Sequence, residues 1–298
     1  MWRFALASLA LAACQRSSVE AIDPAMPSAR APTEKQLARG AYVARISGCT
    51  VCHATTRPGQ IETFDTLGGG AEDTLASGET YRAPNISSDR ETGVGAWLPE
   101  QIVAAVRTGT RPDGARLLSA MPYREFHRMT DADAYAVAAY LRSQVPVWNV
   151  MKRNDRREVH GPALPPPIGN IDPDDAPGHG RYLAALMHCG SCHTAPDGPA
   201  FAGGKELRLV DGGEIVAPNI TSDADTGIGA WTEAQIIAAV RTMTKPDGSP
   251  IEGPMARYAG AWALLSDADA RALAAYVKSL RPVRTDGEQV IESVSSRP

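Results

Sequence analysis

Two sets of apolar positions recur along this chain with the same helical spacing. Ile102, Val103 and Val106 reappear as Ile236, Ile237 and Val240, and Val137, Tyr140 and Leu141 reappear as Leu273, Tyr276 and Val277. Apolar side chains three and four residues apart share one face of a helix, so each set predicts an amphipathic helix turned toward a core. The middle helix spans Pro99 to Arg107 in the first copy. Its counterpart has Thr232 placed as N-cap and Gln235 at N3, a capping-box pattern. The last helix of each copy begins after Thr130 or Ser266, with acidic residues in the first turn, where the helix dipole favours them. A first helix is expected from about Glu34 and, in the second copy, from about Gly178. Long loops join the helices, and no stretch shows a convincing strand alternation.

The repetition extends beyond pattern. Residues 83–97 read APNISSDRETGVGAW and residues 217–231 read APNITSDADTGIGAW, with 11 of 15 positions identical at an offset of 134. Chance does not produce this, so the chain holds two copies of one domain. Upstream the offset is 140, where Gly40-Ala41-Tyr42 matches Gly180-Arg181-Tyr182. The six-residue difference is extra loop in the first copy, between His53 and Ala83. In the last helix the offset is 136, with Asp131-Ala132-Asp133 matching Asp267-Ala268-Asp269. The expected division is a first domain at 35–147, a linker at 148–173, a second domain at 174–283 and a polar tail at 284–298. The linker carries the charged run Lys152 to Arg157 and Leu164-Pro165-Pro166-Pro167, where proline rules out a continuing helix.

The strongest apolar run is Phe4 to Ala13, after Trp2-Arg3. It is too short to span a bilayer and suits the apolar segment of a secretion signal covering 1–13. Leu11-Ala12-Ala13-Cys14 resembles a bacterial lipobox, in which Cys14 is lipidated and becomes the mature N-terminus; a plain signal peptide is the alternative. Residues 14–34 are polar and rich in Pro, Ala and Ser, as a flexible tether would be. This places the expected location in the periplasm, held to a membrane through Cys14. No apolar run reaches the roughly 18 residues of a transmembrane helix, which argues against a multi-span membrane protein. A net charge of -4 argues against a general nucleic-acid binder.

Four of the five cysteines carry the chemistry. They form Cys49-Thr50-Val51-Cys52-His53 and Cys189-Gly190-Ser191-Cys192-His193. C-x-x-C-H is the attachment motif of c-type haem: two thiols one helical turn apart add to the two vinyl groups of a porphyrin, and the following imidazole becomes an iron ligand. A dithiol redox centre, a zinc half-site or a structural disulfide are the competing readings. Two copies on an exported chain favour two covalently bound haem c groups, with His53 and His193 on the irons. Aromatic residues make up only 6% of the chain, so a large apolar disc would serve as the centre of each domain.

An iron that only transfers electrons needs a sixth ligand, and a thioether raises its potential. Asp113-Gly114 aligns with Asp247-Gly248, and eight positions after each Asp come Met121 and Met255. These duplicated loop methionines are the expected distal ligands. His127 and Met129 have no counterpart in the second copy, Met243 aligns with Gly109, Met187 and His188 abut Cys189, His160 lies in linker sequence and His179 just beyond it.

With these motifs in view, the chain resembles a class I cytochrome c duplicated into a diheme protein. It is similar to the cytochrome c subunits of bacterial membrane-associated alcohol and gluconate dehydrogenases. The resemblance implies an all-α fold of two tandem class I cytochrome c-like domains wrapped around haem. It implies that the carbonyls of Pro84 and Pro218 accept a bond from the other nitrogen of the ligating histidines. It also points to Trp97, Trp231, Arg107 and Arg241 as partners of the haem propionates, with a packing or surface role the alternative for each. The implied function is relay of single electrons from a periplasmic or membrane-associated dehydrogenase, or from quinol, to a further cytochrome or terminal oxidase. No residue is expected to be catalytic. The competing function is a diheme enzyme of peroxidase or thiosulfate-oxidising type. The resembled subunits often carry three haems, whereas two motifs stand here.

Overall fold

The computed structural model describes residues 31–55, 66–74, 80–152, 164, 168, 171–172, 174–209 and 213–285. The expected lipobox with Cys14, and most of the expected tether, linker and tail, lie outside these residues.

Each half is built from helices whose ends the local sequence dictates. In the first half α1 (Glu34–Ile46) runs to a left-handed turn at Gly48, and α2 (Cys49–His53) follows. The first helix thus runs up to the motif as expected, and the motif lies on a short helix of its own. After a hairpin of β1 (Glu72–Thr74) and β2 (Thr80–Arg82) come α3 (Pro99–Thr108), α4 (Tyr123–Phe126) and α5 (Asp131–Ser143). The second half repeats the order: α6 (Ala176–Leu186), α7 (Cys189–His193), a hairpin of β3 (Glu206–Arg208) and β4 (Glu214–Val216), α8 (Glu233–Arg241), a 3-10 turn (Gly253–Tyr258), α9 (Ala259–Trp262) and α10 (Asp267–Ser279). The two antiparallel hairpins correct the expectation of no strands. Each strand is three residues long, too short to show an alternating pattern. Among the described residues no helix is long and apolar enough to cross a membrane.

The caps follow the sequence. Thr232 Oγ1 accepts from the Gln235 amide at 3.2 Å while the Gln235 side chain accepts from the Thr232 amide at 2.9 Å. Thr130 and Ser266 accept from the amides of Asp133 and Asp269 at 3.2 and 3.1 Å. Such caps stabilise a helix by about 1 kcal/mol each.

In both halves the first helix crosses the last at a glycine. The space beside Gly40 is filled by the Ala136 carbonyl of α5, and that beside Gly180 by the Ala272 carbonyl of α10. The repeated A-P-N-I loops are pinned by their asparagines. Asn85 Nδ2 donates to the Val147 carbonyl at 2.6 Å, and Asn219 Nδ2 to the Val283 carbonyl at 2.7 Å. Each bond ties the loop to the chain leaving the last helix of its own half. Asp89 and Asp223 turn the same loops by accepting from the amides of Thr92 and Thr226, both at 2.7 Å.

The two halves are keyed together by a reciprocal exchange. Tyr182 of α6 donates to Asp133 of α5 at 2.6 Å, and Tyr42 of α1 donates to Asp269 of α10. Each hydroxyl also accepts the N–H of the N-cap of the helix it meets, Thr130 at 3.3 Å and Ser266 at 3.2 Å. Each carboxylate has a second partner from its own half. Arg39 grips Asp133 with two bonds of 2.7 Å, and His179 Nε2 lies 2.6 Å from Asp269. Residues of both halves, Ile46 and Phe126 with Leu186 and Trp262 among them, share one buried apolar cluster. The described residues from Pro32 onward accordingly form one compact unit.

Tyr182 is fully buried and its hydroxyl meets a carboxylate, so Tyr182→Phe is expected to cost about 2 kcal/mol, the usual worth of a hydrogen bond to a charged group. Chemical denaturation followed by far-UV circular dichroism measures it, and a change near zero would remove this contact from the junction. Acid should loosen the other key. Burial pushes the Asp269 carboxyl up, but the hydrogen bonds from Tyr42 and His179 outweigh it and hold the group below the ordinary carboxylate range. A depressed folded value gives stability that is present above the unfolded value of about 3.9 and lost as pH falls through the folded one.

Candidate functional site

The cysteines of each C-x-x-C-H motif stand one turn apart on a short helix, and each histidine closes that helix. His53 Nδ1 lies 2.8 Å from the Pro84 carbonyl oxygen and His193 Nδ1 lies 2.8 Å from that of Pro218. A carbonyl only accepts, so each Nδ1 carries the proton and each Nε2 keeps its lone pair for a metal. Burial pushes both imidazoles down, against the opposing effect of the proline carbonyls, which favours the neutral, ligating form.

The same local network builds both sites. The amide of Gly69 donates to the His53 carbonyl at 3.0 Å, and that of Gly203 to the His193 carbonyl at 2.9 Å. A Cβ on either glycine would lie 2.5 Å from the backbone carbonyl carbon of the neighbouring proline. These glycines let the proline loop reach the imidazole. They follow the histidines by different intervals, so the six extra residues of the first half fall between His53 and Gly69, largely outside the described residues.

The alternatives to haem attachment fare poorly on this geometry. A redox dithiol needs a thiol that ionises readily. Burial, aided by the neighbouring cysteine, instead pushes Cys49 and Cys189 up to about 12. No disulfide joins the four motif cysteines in this structure. Among the described residues no group of three or more His, Cys, Asp or Glu side chains is arranged to hold a metal ion. Two partly buried thiols beside an oriented imidazole fit a haem c, which would take the thiols as thioethers and the imidazole as one iron ligand. The chemistry such a group supplies is one-electron exchange at iron.

Met121 lies in the loop before α4, and Met255 in the 3-10 turn before α9; both are partly buried and pack on the shared cluster. Trp97 is partly buried beneath the Arg111 guanidinium, 5.9 Å from the ring centre. The Trp231 carbonyl accepts from Lys278 Nζ at 2.9 Å. Arg107 pairs with Asp131 at the start of α5, and Arg241 pairs with Asp267 at 2.8 Å and also donates to the Leu265 carbonyl. In both halves this arginine ties the middle helix to the start of the last. His127 Nδ1 lies 3.2 Å from the Arg107 carbonyl.

The sequence reading overlooked Asn85, Asn219, Gly69 and Gly203, although all four recur in the duplicated stretches. It also overlooked the crossing of Tyr42 and Tyr182 between halves. Their identity in the two copies was visible, but no spacing in the chain points to a partner in the other half.

Residues 37–144 and 179–281 each match the family model for cytochrome c. The chain is similar to the fructose dehydrogenase cytochrome subunit of Gluconobacter japonicus, 29% identical over 96% of this chain and 60% of the relative. It is also similar to the cytochrome c subunit of the quinone alcohol dehydrogenase of Gluconobacter oxydans, 34% identical over 84% of this chain and 56% of the relative. A diheme cytochrome c-type protein of Cereibacter sphaeroides is 30% identical over 82% of this chain and 85% of its own length. The chain therefore spans somewhat over half of each of the two dehydrogenase subunits. With two matched regions that each contain a C-x-x-C-H helix and an oriented histidine, the chain belongs to the cytochrome c family.

Proposed function

We propose that this protein is a diheme electron carrier. It takes single electrons from a dehydrogenase outside the cytoplasmic membrane, or from quinol, and passes them to a further cytochrome or a terminal oxidase. The observation that carries the reading is the duplicated bond from histidine Nδ1 to a proline carbonyl, which directs both Nε2 atoms to a metal beside a pair of thiols. The dehydrogenase partner is inferred from the relatives, two of which are named as cytochrome subunits of such enzymes.

In this reading Cys49 and Cys52 hold one haem and Cys189 and Cys192 the other. His53 and His193 ligate iron through Nε2, and Pro84 and Pro218 keep the rings in place. Met121 and Met255 supply the sixth ligands, and Trp97 and Trp231 face the propionates. For Arg107 and Arg241, the pairing with Asp131 and Asp267 supports a tethering role over a propionate one. No side chain of the chain acts as acid, base or nucleophile. The apolar run before Cys14 supports export to the periplasm and a lipid anchor, and an acyl chain on the mature protein would be read by mass spectrometry.

The methionine assignment separates carrier from enzyme. The ferric protein should show the sulfur-to-iron charge-transfer band at an intensity for two haems. Met121→Ala and Met255→Ala should each remove about half of it and lower one potential, because loss of a thioether ligand destabilises reduced iron. A high-spin signal from one haem of the unaltered ferric protein would favour the peroxidase-type enzyme instead.

A further inference from the structure

The residues just before the first cysteines, Gly48 and His188, are equivalent in the repeat and both adopt left-handed backbone, with φ of 77° and 44°. Glycine takes this conformation freely, whereas a residue with a Cβ is disfavoured there. The second half therefore holds His188 in a strained backbone where its duplicate uses glycine.

The histidine ring occupies the junction between the halves. It meets Tyr258 edge-on with ring centres 5.2 Å apart, and Phe126 of the first half at 6.2 Å. Tyr258 stacks on Trp262 at 4.8 Å, and the Trp262 indole donates across the junction to the Ile46 carbonyl at 3.0 Å. Gly48 is the complement of this group. A Cβ there would lie 2.7 Å from Tyr258 Cε1 and 3.6 Å from His188 Nε2. One motif is trimmed to admit the tyrosine and the other carries a wedge against it. Tyr258 therefore stands between Gly48 and His188, the residues that precede the two motifs. Ser191 holds the wedge, its hydroxyl donating to the His188 carbonyl at 2.7 Å.

We propose that His188 and Tyr258 are positioning residues that set how the two haem-attachment motifs face one another, the tyrosine ring as spacer and the histidine as wedge. Each haem is fixed to its motif by two thioethers, so orientation of the motifs is orientation of the haems. This rests on the reading that both motifs are loaded. In a one-electron relay the spacing and angle between the two centres control internal transfer, which explains why a strained histidine stands where glycine would fold more easily.

Circular dichroism in the Soret region of the full chain tests this, because two fixed, neighbouring haems produce a paired positive and negative signal. The unaltered protein should show that couplet. His188→Gly copies the first motif and relieves the backbone, so it should fold with two haems and an unchanged sulfur-to-iron band while the couplet collapses toward two independent haems. Tyr258→Ala should do the same and Tyr258→Phe should retain the couplet. Absence of a couplet from the two-haem protein overturns the proposal, as does a couplet unchanged in both His188→Gly and Tyr258→Ala. Loss in Tyr258→Phe overturns the spacer role of the ring. A haem count below two, read separately by mass, overturns the underlying reading itself.

Discussion

If the proposed function holds, exchange of Cys189 and Cys192 together for serine is expected to lower the covalent haem content from two to one per chain, read by mass and by haem absorbance. Serine hydroxyls do not form the thioethers, and His193 alone leaves any haem exchangeable. The structural consequence is as large as the chemical one. Few aromatic side chains are available to fill either half. The second half is therefore expected to lose its cooperative melt, on the order of 5 kcal/mol or more, the whole stability of a small domain. The first half should be weakened too, since Tyr42 reaches Asp269 and Trp262 reaches Ile46. Thermal melts by far-UV circular dichroism measure both effects. Two covalent haems in this variant would show that attachment does not use these thiols, while Cys14→Ser serves as the control that keeps both.

The second large effect concerns a residue with no side chain. A Cβ on Gly180 would lie 1.9 Å from the Ala272 carbonyl oxygen and 2.6 Å from the Tyr276 Cβ. A backbone carbonyl inside a helix does not rotate away, so α6 and α10 must separate. Gly40 meets the Ala136 carbonyl in the same way at 2.0 Å. Separation opens the buried contacts made by Leu183 and Leu273 and pulls on the Tyr182 bond to Asp133. Gly180→Val is expected to cost about 3 kcal/mol or more, at or above the upper end for overpacking. Gly260→Ala in α9 is the comparison: nothing lies within 4 Å of the added methyl, so it should be neutral or stabilise by up to about 1 kcal/mol. Denaturant midpoints measure both. A Gly180→Val midpoint equal to that of the unaltered protein would mean the helices are not in backbone contact.

Other features divide according to how far apart in the chain the interacting groups lie. Caps such as Thr130 with Asp133 and Thr232 with Gln235 span three residues and were readable at once. The end of the first helix at the motif was readable too, whereas the left-handed turn at Gly48 that sets the motif on its own helix was not. The hairpins were missed because Glu72–Thr74 and Glu206–Arg208 are short and polar. Arg107 and Arg241 showed as basic residues at matching positions, but their pairing with Asp131 and Asp267 depends on how the middle helix packs on the last.

The amino-acid sequence alone determined the duplication, through identical stretches 134 to 140 residues apart, and it determined the paired thiols with their imidazole and the capped helix starts, because these are set by spacings of about one helical turn along a single segment. Docking of the halves decided the rest: that Tyr42 seeks Asp269, that Tyr182 seeks Asp133, and that His188 and Tyr258 fill a junction beside Gly48. Those partners lie 227, 49 and 70 residues apart, with Gly48 still more distant. Contacts over such separations arise from the shapes of two assembled surfaces, and no local periodicity encodes them.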